Sequence, residues 1–573
     1  MRGYRPRRSL GWLATVLVVA TTLVIPWPAL AQDATPAASG EPIRSLTREE
    51  FQAQLQEDMQ YTEPATPGGT FIDSNTADIQ TVHPFLVEED ASIDVVGLVY
   101  EGLVGGDPRS GQIAPNQLAD YWEISPDNVT YTFHLNKDAK WHDGVDITAA
   151  DVQFSADALA NPETGSAYTG SFVDTVESWR AIDEDTFEMV AKEPVFTFLF
   201  DIQTLLILPK HIWENVPYAE WRNDPGATGT DPSRVIGSGP WKFQEWRQGE
   251  SVTLTRNDDY YGKVPYLDKY VLRIWPDQTA VVNALLNGEV DAAELEASDV
   301  AAVEGTPGIA VAHYPTRGFT FYEFNLDPEV TTKWQDQRVR QALFYALDRE
   351  SIVNDILLGY GEVAQGTQPV VSYAYAPDRI TTKYIYDPEK AKSLLTEAGW
   401  TDTDGDGIVD KDGDSLSFEL LYRSGSPTED QLVAYLQDAW RAIGVDASPR
   451  SLEFPALIEA TTTNPTFDIA IYGFLWDASF LQDAMFGCDQ YQVGFNDMKY
   501  CNPELDAIND DARRTFDQDA RRELLIQASN IVNDEQPVGI MYFLQDHDAY
   551  SDRLQNYSPS TWGVDLSQVW IQQ

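Results

Sequence analysis

Apolar positions recurring every three or four residues predict helices over Ala149–Leu159, Thr279–Leu286, Gln337–Leu347, Ser351–Leu358, Glu389–Glu397, Glu429–Ile443 and Ala520–Asn533. Strand-like runs lie at Tyr131–Leu135, Thr186–Val190, Ser251–Arg256, Tyr270–Ile274 and Phe319–Asn325. The two kinds alternate without an internal repeat, which predicts α/β lobes holding a ligand in the crevice between them. Some boundaries are written out: Asp387-Pro388-Glu389 places a cap and a first-turn proline, and Gly399 closes that helix. Nearer the N-terminus, Phe51, Leu55 and Met59 recur every four residues and predict a short helix around Thr47–Met59. That helix lies in an Ala/Pro/Thr-rich stretch, residues 32–68, read here as a tether, with the first globular strand starting at Thr70.

The first 31 residues follow another pattern. Arg2, Arg5, Arg7 and Arg8 precede an apolar run from Leu10 to Ile25, and Ala29-Leu30-Ala31 follows. A basic start, a short apolar segment and an A-x-A site predict an export signal cut after Ala31. The run stops at Pro26 and Pro28, short of the roughly 20 residues a membrane span needs. Arg7-Arg8-Ser9-Leu10 resembles a twin-arginine signal only loosely, so the export route stays open. Both cysteines lie far downstream, so a lipid-modified N-terminal cysteine is not expected. The protein is expected outside the cytoplasm, periplasmic or at the cell surface.

Charge narrows the partners. The 573 residues carry 91 acidic against 39 basic side chains, a formal charge of -52. Nucleic acid and anionic lipid both require a basic surface, so neither is an expected partner. A soluble monomer that repels its neighbours is expected. At this length more than one core is expected, and 43% hydrophobic residues are enough to build them.

Enzymatic signatures are sparse. Gly237-Ser238-Gly239 lacks the nucleophile elbow because Ile236 occupies the first glycine's place. The six histidines are scattered, without paired zinc ligands on a helix. No phosphate-binding glycine loop is present. Trp141-His142-Asp143-Gly144 places a histidine beside an aspartate, but adjacent side chains on a turn point apart, so a structural turn is expected. Paired carboxylates for glycan hydrolysis stay open, because the acids offer too many pairs.

Cys488 and Cys501, thirteen apart in an exported chain, favour one disulfide over two free thiols. Closing so short a loop stabilises by about 3 kcal/mol on the chain-entropy account. Asp402, Asp404, Asp406 and Asp410 occupy the acidic positions of a calcium loop, with the Ile408 carbonyl at its seventh place. Gly413 stands where the bidentate glutamate belongs, so a structural calcium and a plain acidic hairpin are both open. No cofactor is required.

Across nearly all of the chain beyond the signal, the sequence resembles the family 5 extracellular solute-binding proteins, the dipeptide, oligopeptide and nickel receptors of ABC importers. The resemblance rests on Tyr100-Glu-Gly-Leu-Val104, Leu118-Ala-Asp-Tyr-Trp-Glu-Ile-Ser-Pro-Asp127, Trp141-His-Asp-Gly144, Gly237-Ser-Gly-Pro240, Asp336-Gln-Arg-Val-Arg-Gln-Ala-Leu343 and Asp387-Pro-Glu-Lys-Ala391, in this order. It implies a two-lobed α/β fold of the periplasmic-binding-protein type with hinge crossovers and an extra subdomain on lobe I. Lobe I would comprise 69–321 and 544–573, and lobe II 322–543, with crossings near Tyr322–Asn325 and Phe543–Gln545. The resemblance also implies a peptide-like ligand and a membrane permease as partner. An oligosaccharide receptor of the same fold, or an exported glycan hydrolase, are the rivals. Residue by residue, it assigns Arg423 to a peptide carboxylate and Asp477 to its ammonium, with Tyr472, Phe474 and Trp476 as stacking surfaces. Ser92, in the Glu88–Ser92 loop, is placed at the cleft, and Cys488 and Cys501 match the family's disulfide. Phe474 replaces the family's tryptophan, and Phe480-Leu481-Gln482-Asp483 replaces its Asp-Pro.

Overall fold

The computed structural model describes residues 42–64, 66–463, 465–491 and 493–572. The export signal predicted for residues 1–31 lies outside the described residues.

Three larger sheets carry the architecture. Tyr131, Phe133 and Leu135 are buried and alternate with less buried neighbours, the period-two pattern of a half-buried strand. Their strand, Thr130–Leu135, sits inside a five-stranded antiparallel sheet ordered Ile43–Arg44, Ala119–Ile124, Thr130–Leu135, Thr186–Ala191, Val176–Ala181. A four-stranded sheet runs Thr70–Asn75, Lys269–Ile274, Ser251–Arg256, Trp241–Arg247. Both share one large core that includes Phe71, Phe133, Trp141, Trp241 and Leu254.

The third, seven-stranded sheet is mixed, and its order is Ala292–Leu295, Val538–Ser551, Ile309–Phe324, Ile469–Leu475, Ser417–Arg423, Asp446–Leu452, with Gly361–Val363 also paired to Val538–Ser551. Its two long strands, Ile309–Phe324 and Val538–Ser551, form an antiparallel ribbon. One end of the ribbon packs with Leu285, Leu295 and Val300 beside the first core. The other end packs between a core built on Trp334, Trp440 and Leu436 and one built on Trp476, Phe486 and Leu525. The ribbon therefore joins two bodies of the molecule.

Its register shifts twice near the middle, the larger break at 315–319 and a smaller one between Thr320 and Phe321, where Met541 is left unpaired in the ladder. Pro315 faces Gln545 and Phe319 faces Phe543, so Thr316, Arg317 and Gly318 bulge against the single residue Leu544. Tyr322 and Phe324, in the segment expected as a crossing, lie instead in the second body's core. A boundary at 321/322 thus falls within a continuous strand, and the physical discontinuity lies about five residues earlier, at the bulge.

The tether expectation also changes. Ile43–Arg44 pairs with Ile124 and Glu123, and the helix Arg48–Met59 packs Phe51 and Leu55 against Ala114. Arg48 donates to the Gln117 carbonyl at 2.6 Å and lies over the Tyr261 ring. This segment is docked, because its apolar and arginine contacts outweigh its loop-like composition. The predicted helix at Ser351–Leu358 is realised as a short turn, Arg349–Ser351, followed by a π-turn, Ile352–Ile356.

Candidate functional site

The strand Ile469–Leu475 runs beside the ribbon, and its continuation carries the residues of interest. Register pairs Phe319 with Phe474 and Gly318 with Leu475, and the Trp476 N–H donates to the Arg317 carbonyl at 3.2 Å. Phe474 is half-buried, its ring 5.7 Å from Phe319, 5.1 Å from Trp476 and 5.2 Å from the exposed Phe495. Trp476 itself is buried, and its indole N–H donates to the Thr367 carbonyl at 2.8 Å, so it supports Phe474 from below. Tyr472 is half-buried and shares a hydrogen bond with the Thr461 hydroxyl. Asp477 is exposed, and one of its oxygens accepts from the Ser479 N–H at 2.8 Å and the Ser479 hydroxyl at 2.5 Å. The other oxygen has no hydrogen bond among the described residues.

Residues of the first body face this strip. The segment after Thr186–Ala191 reaches across: Arg514 pairs with Glu193 at 2.8 Å, and the Phe196 N–H donates to the Arg513 carbonyl at 3.0 Å. Arg521 lies 3.7 Å over the Phe196 ring. Next to it, burial pushes the Asp201 carboxyl up to about 7; Thr197 and Arg513 oppose that, while Asp477 and Asp483 add to it. Trp562, from the C-terminal loop, contacts both Phe480 (6.3 Å) and Arg317 (5.3 Å). The crevice between the bodies is thus lined by aromatic rings and carboxylates.

Two of the expected ligand residues are engaged elsewhere. Ser92 is fully buried, and its hydroxyl accepts the Gln80 N–H at 2.8 Å and donates to Glu89. It sits in the first helical turn after the Glu89 cap, and its hydroxyl braces that loop. Arg423 ends the strand Ser417–Arg423, is half exposed, and pairs with Glu429 at 3.0 Å. Its charge is already matched on the first turn of the helix Pro427–Arg441.

The family described as bacterial extracellular solute-binding proteins, family 5 middle, matches residues 114–492. This chain belongs to that family. It is 30% identical to the oligopeptide-binding protein AppA of Bacillus subtilis, over 86% of this chain and 89% of that one. To the dipeptide-binding protein of Escherichia coli it is 26% identical, over 77% and 83%. Among solved structures, AppA of Bacillus subtilis in complex with a nonapeptide superimposes with a TM-score of 0.72 at 28% identity, covering 89% of this chain and all of that one. NikZ of Campylobacter jejuni in complex with Ni(L-His) gives 0.70 at 27% identity, covering 87% and 99%.

Other features of this family 5 protein fall away from the crevice. Cys488 and Cys501 are disulfide-bonded, with 4.4 Å between their Cα atoms. In the Asp402–Asp410 loop, Asp402, Asp404 and Asp410 each bring a carboxylate oxygen within 4.8 Å of the others. Asp406 turns away to accept the Ile408 N–H at 2.7 Å, and the Ile408 side chain is buried. His142 and Asp143 do not pair with each other: His142 Nε2 meets the Gly239 carbonyl at 3.0 Å, while Asp143 pairs with His211. Two separately recognised motifs, Trp141–Gly144 and Gly237–Pro240, thus form one packing unit, and burial pulls the His142 imidazole down to about 4.

Sequence reasoning missed Arg317, Asp201 and Trp562. The Pro315-Thr316-Arg317-Gly318 interruption of a β-rich run was the available signal for the first. No local pattern marks the other two, because they approach the strip from chain segments 276 and 85 residues away from Asp477.

Proposed function

We propose that this chain is a non-catalytic receptor that captures a peptide-like solute between its two bodies and hands it to an ABC importer. The observation that carries the reading is the strip Phe474–Asp477. It presents an aromatic ring and a carboxylate with an open oxygen to a crevice closed on the far side by Phe196, Asp201 and Trp562. Asp477 suits a peptide ammonium, and Phe474 offers it a ring face. Similarity to receptors named for oligopeptides and dipeptides supports the same ligand class. Micromolar binding requires about 8 kcal/mol, and each charged hydrogen bond supplies roughly 1.5–3, so stacking and backbone pairing complete the affinity.

The molecule works outside the cytoplasm in this reading, unlipidated and monomeric, and no described helix is long and apolar enough to cross a membrane. Binding by hinge closure fits the ribbon that joins the bodies, a motion known for periplasmic receptors in general. A structural calcium in the Asp402–Asp410 loop is a separate proposal, supported by its three converging carboxylates; EDTA leaving the melting temperature unchanged would remove it.

The deciding experiment is mass spectrometry of solute that co-purifies with the protein, followed by thermal-shift titration with peptide and oligosaccharide libraries. Peptide-dependent stabilisation without turnover is expected. Stabilisation by sugars alone, or cleavage of any library member, sinks the reading.

A further inference from the structure

A zwitterionic ligand that gives its ammonium to Asp477 needs a cation for its carboxylate. Arg423 is a poor host, exposed and matched by Glu429. Arg317 differs in every respect. It occupies the bulge at the ribbon's centre, where Pro315 removes a ladder donor and the chain carries three residues against Leu544. The Gly318 N–H folds back on the Thr316 hydroxyl at 2.7 Å, and a Cβ at Gly318 would lie 2.7 Å from Leu475 and 2.9 Å from Leu544. That tight passage holds the bulge in one shape and fixes where Arg317 leaves the backbone.

The Arg317 guanidinium lies 5.3 Å from the Trp562 ring centroid, inside the crevice, and no carboxylate or carbonyl among the described residues takes its N–H groups. The acid whose field it feels is Asp477, and burial lowers its pKa from the ordinary arginine value. In a chain with 91 acids against 39 bases, a half-buried arginine without an ion pair among the described residues stands out. Such a group is costly unless an anion arrives to fill it. Its planar fork matches a carboxylate, and the Trp562 face keeps that fork oriented.

We propose that Arg317 is the ligand-carboxylate anchor of the crevice, working with Asp477 to recognise a short peptide with both termini free. The proposal rests on the peptide-receptor reading and deepens it. Because the Trp476 N–H, one residue before Asp477, bonds the Arg317 carbonyl at 3.2 Å, the two anchors leave neighbouring points of the backbone, and the termini they hold belong to a peptide of few residues. Because Arg317 sits in the ribbon's bulge, its engagement ties ligand binding to the segment where the two bodies meet.

The test compares a tripeptide library bearing free carboxyl termini with the same library amidated at its C-termini, by thermal shift and then calorimetry. The wild type should prefer the free-acid library by about tenfold to a hundredfold, the worth of one charged hydrogen-bond pair. Arg317→Met should abolish that preference while binding the amidated library as the wild type does. Arg317→Lys should restore part of it, and Arg423→Met should leave it intact. Unfolding of each variant without ligand, if unchanged, separates recognition from folding. Retention of the preference in Arg317→Met, its loss in Arg423→Met, or an indifferent wild type overturns the proposal while peptide binding stands. Failure of both libraries to shift the wild type overturns the peptide reading, and this proposal with it.

Discussion

The two ends of the central ribbon are built from the same pair of strands and could hardly differ more. Toward the second body, Phe319, Phe321, Tyr322 and Phe543 are buried, and neighbouring aromatic rings fill the space around them. Toward the first body, Glu294 stands directly across the strands from Asp548, with Asp546 two residues further along. Asp73 and Asp94 lie near enough to add to the repulsion, and no arginine or lysine joins them in the fields these acids feel. The hydroxyls of Tyr270 and Tyr314 bond Asp73 at 2.9 Å and Asp548 at 2.6 Å, and Asp546 Oδ2 is buried without a partner. One end spends its residues on packing. The other gathers carboxylates without a cation, so the fold must either hold them protonated or offset their repulsion elsewhere.

The sharpest way to break the packed end is Gly539→Ala. Gly539 is the register partner of Tyr322, and a Cβ there would fall 2.3 Å from the Tyr322 ring, itself fully buried. The ring has no room to yield, so the substitution should cost about 3 kcal/mol, read as a lower denaturant midpoint with an unchanged slope. A cost below about 1 kcal/mol would mean that the packed end has slack, and the contrast between the ends would weaken.

The charged end should show itself through pH. Burial and mutual repulsion push Asp546 and Asp548 up to about 8, and the neighbouring acids raise the exposed Asp94 and Glu294 in the same direction. In the unfolded chain these groups ionise near pH 4. Between those values the folded protein holds protons that the unfolded chain has lost, so stability falls as pH rises through that interval. Histidines act the opposite way at lower pH: burial pulls His83 to about 3 and His547 to about 4, so stability is lost as pH falls below their unfolded value near 6.5. The window from pH 6.5 to 8.5 isolates the carboxylates. Denaturant midpoints should decline steadily across it, and a flat or rising profile would show that the cluster is neutralised in solution.

This contrast was only partly legible beforehand. Strands and helices with local signatures came through: Ser251–Arg256 and Ala149–Leu159 have the predicted limits, and Asp387 caps its helix by accepting the Lys390 N–H at 2.9 Å. The family and the Cys488–Cys501 pair were readable because both are carried by residues close together in sequence. The long strand Val538–Ser551 was not anticipated. Its continuous apolar start lacks alternation, and its Asp546-His547-Asp548 half looks like loop. For the same reason the acidic end of the ribbon was invisible: Glu294 and Asp548 meet only through a pairing across 254 positions of chain. Within the site, Phe474 and Asp477 could be named from sequence because they lie in one short strand-and-turn segment, Ile469–Leu475 and its continuation. The status of Arg423 and Ser92 depended on which partners they found, Glu429 and Glu89, and composition does not reveal that.

The gentlest test removes one charge from the acidic end. Glu294→Gln keeps the side chain's length and leaves the strand's backbone pairing with Tyr550, Ala549, Asp548 and His547 untouched. It takes away the carboxylate that faces Asp548, and like charges directly opposed across strands destabilise by a few tenths of a kcal/mol up to about 1. The variant should therefore be slightly more stable than the wild type at pH 8.5. The difference should shrink toward pH 5.5, as the carboxylates of the cluster take up protons. The slope of stability against pH should be shallower in the variant, since one of the groups that hold protons in the fold is gone. An equal offset at both pH values would mean that the glutamine acts through packing. Loss of stability at pH 8.5 would mean that Glu294 has a partner in solution, and the two ends of the ribbon would then be less different than their residues imply.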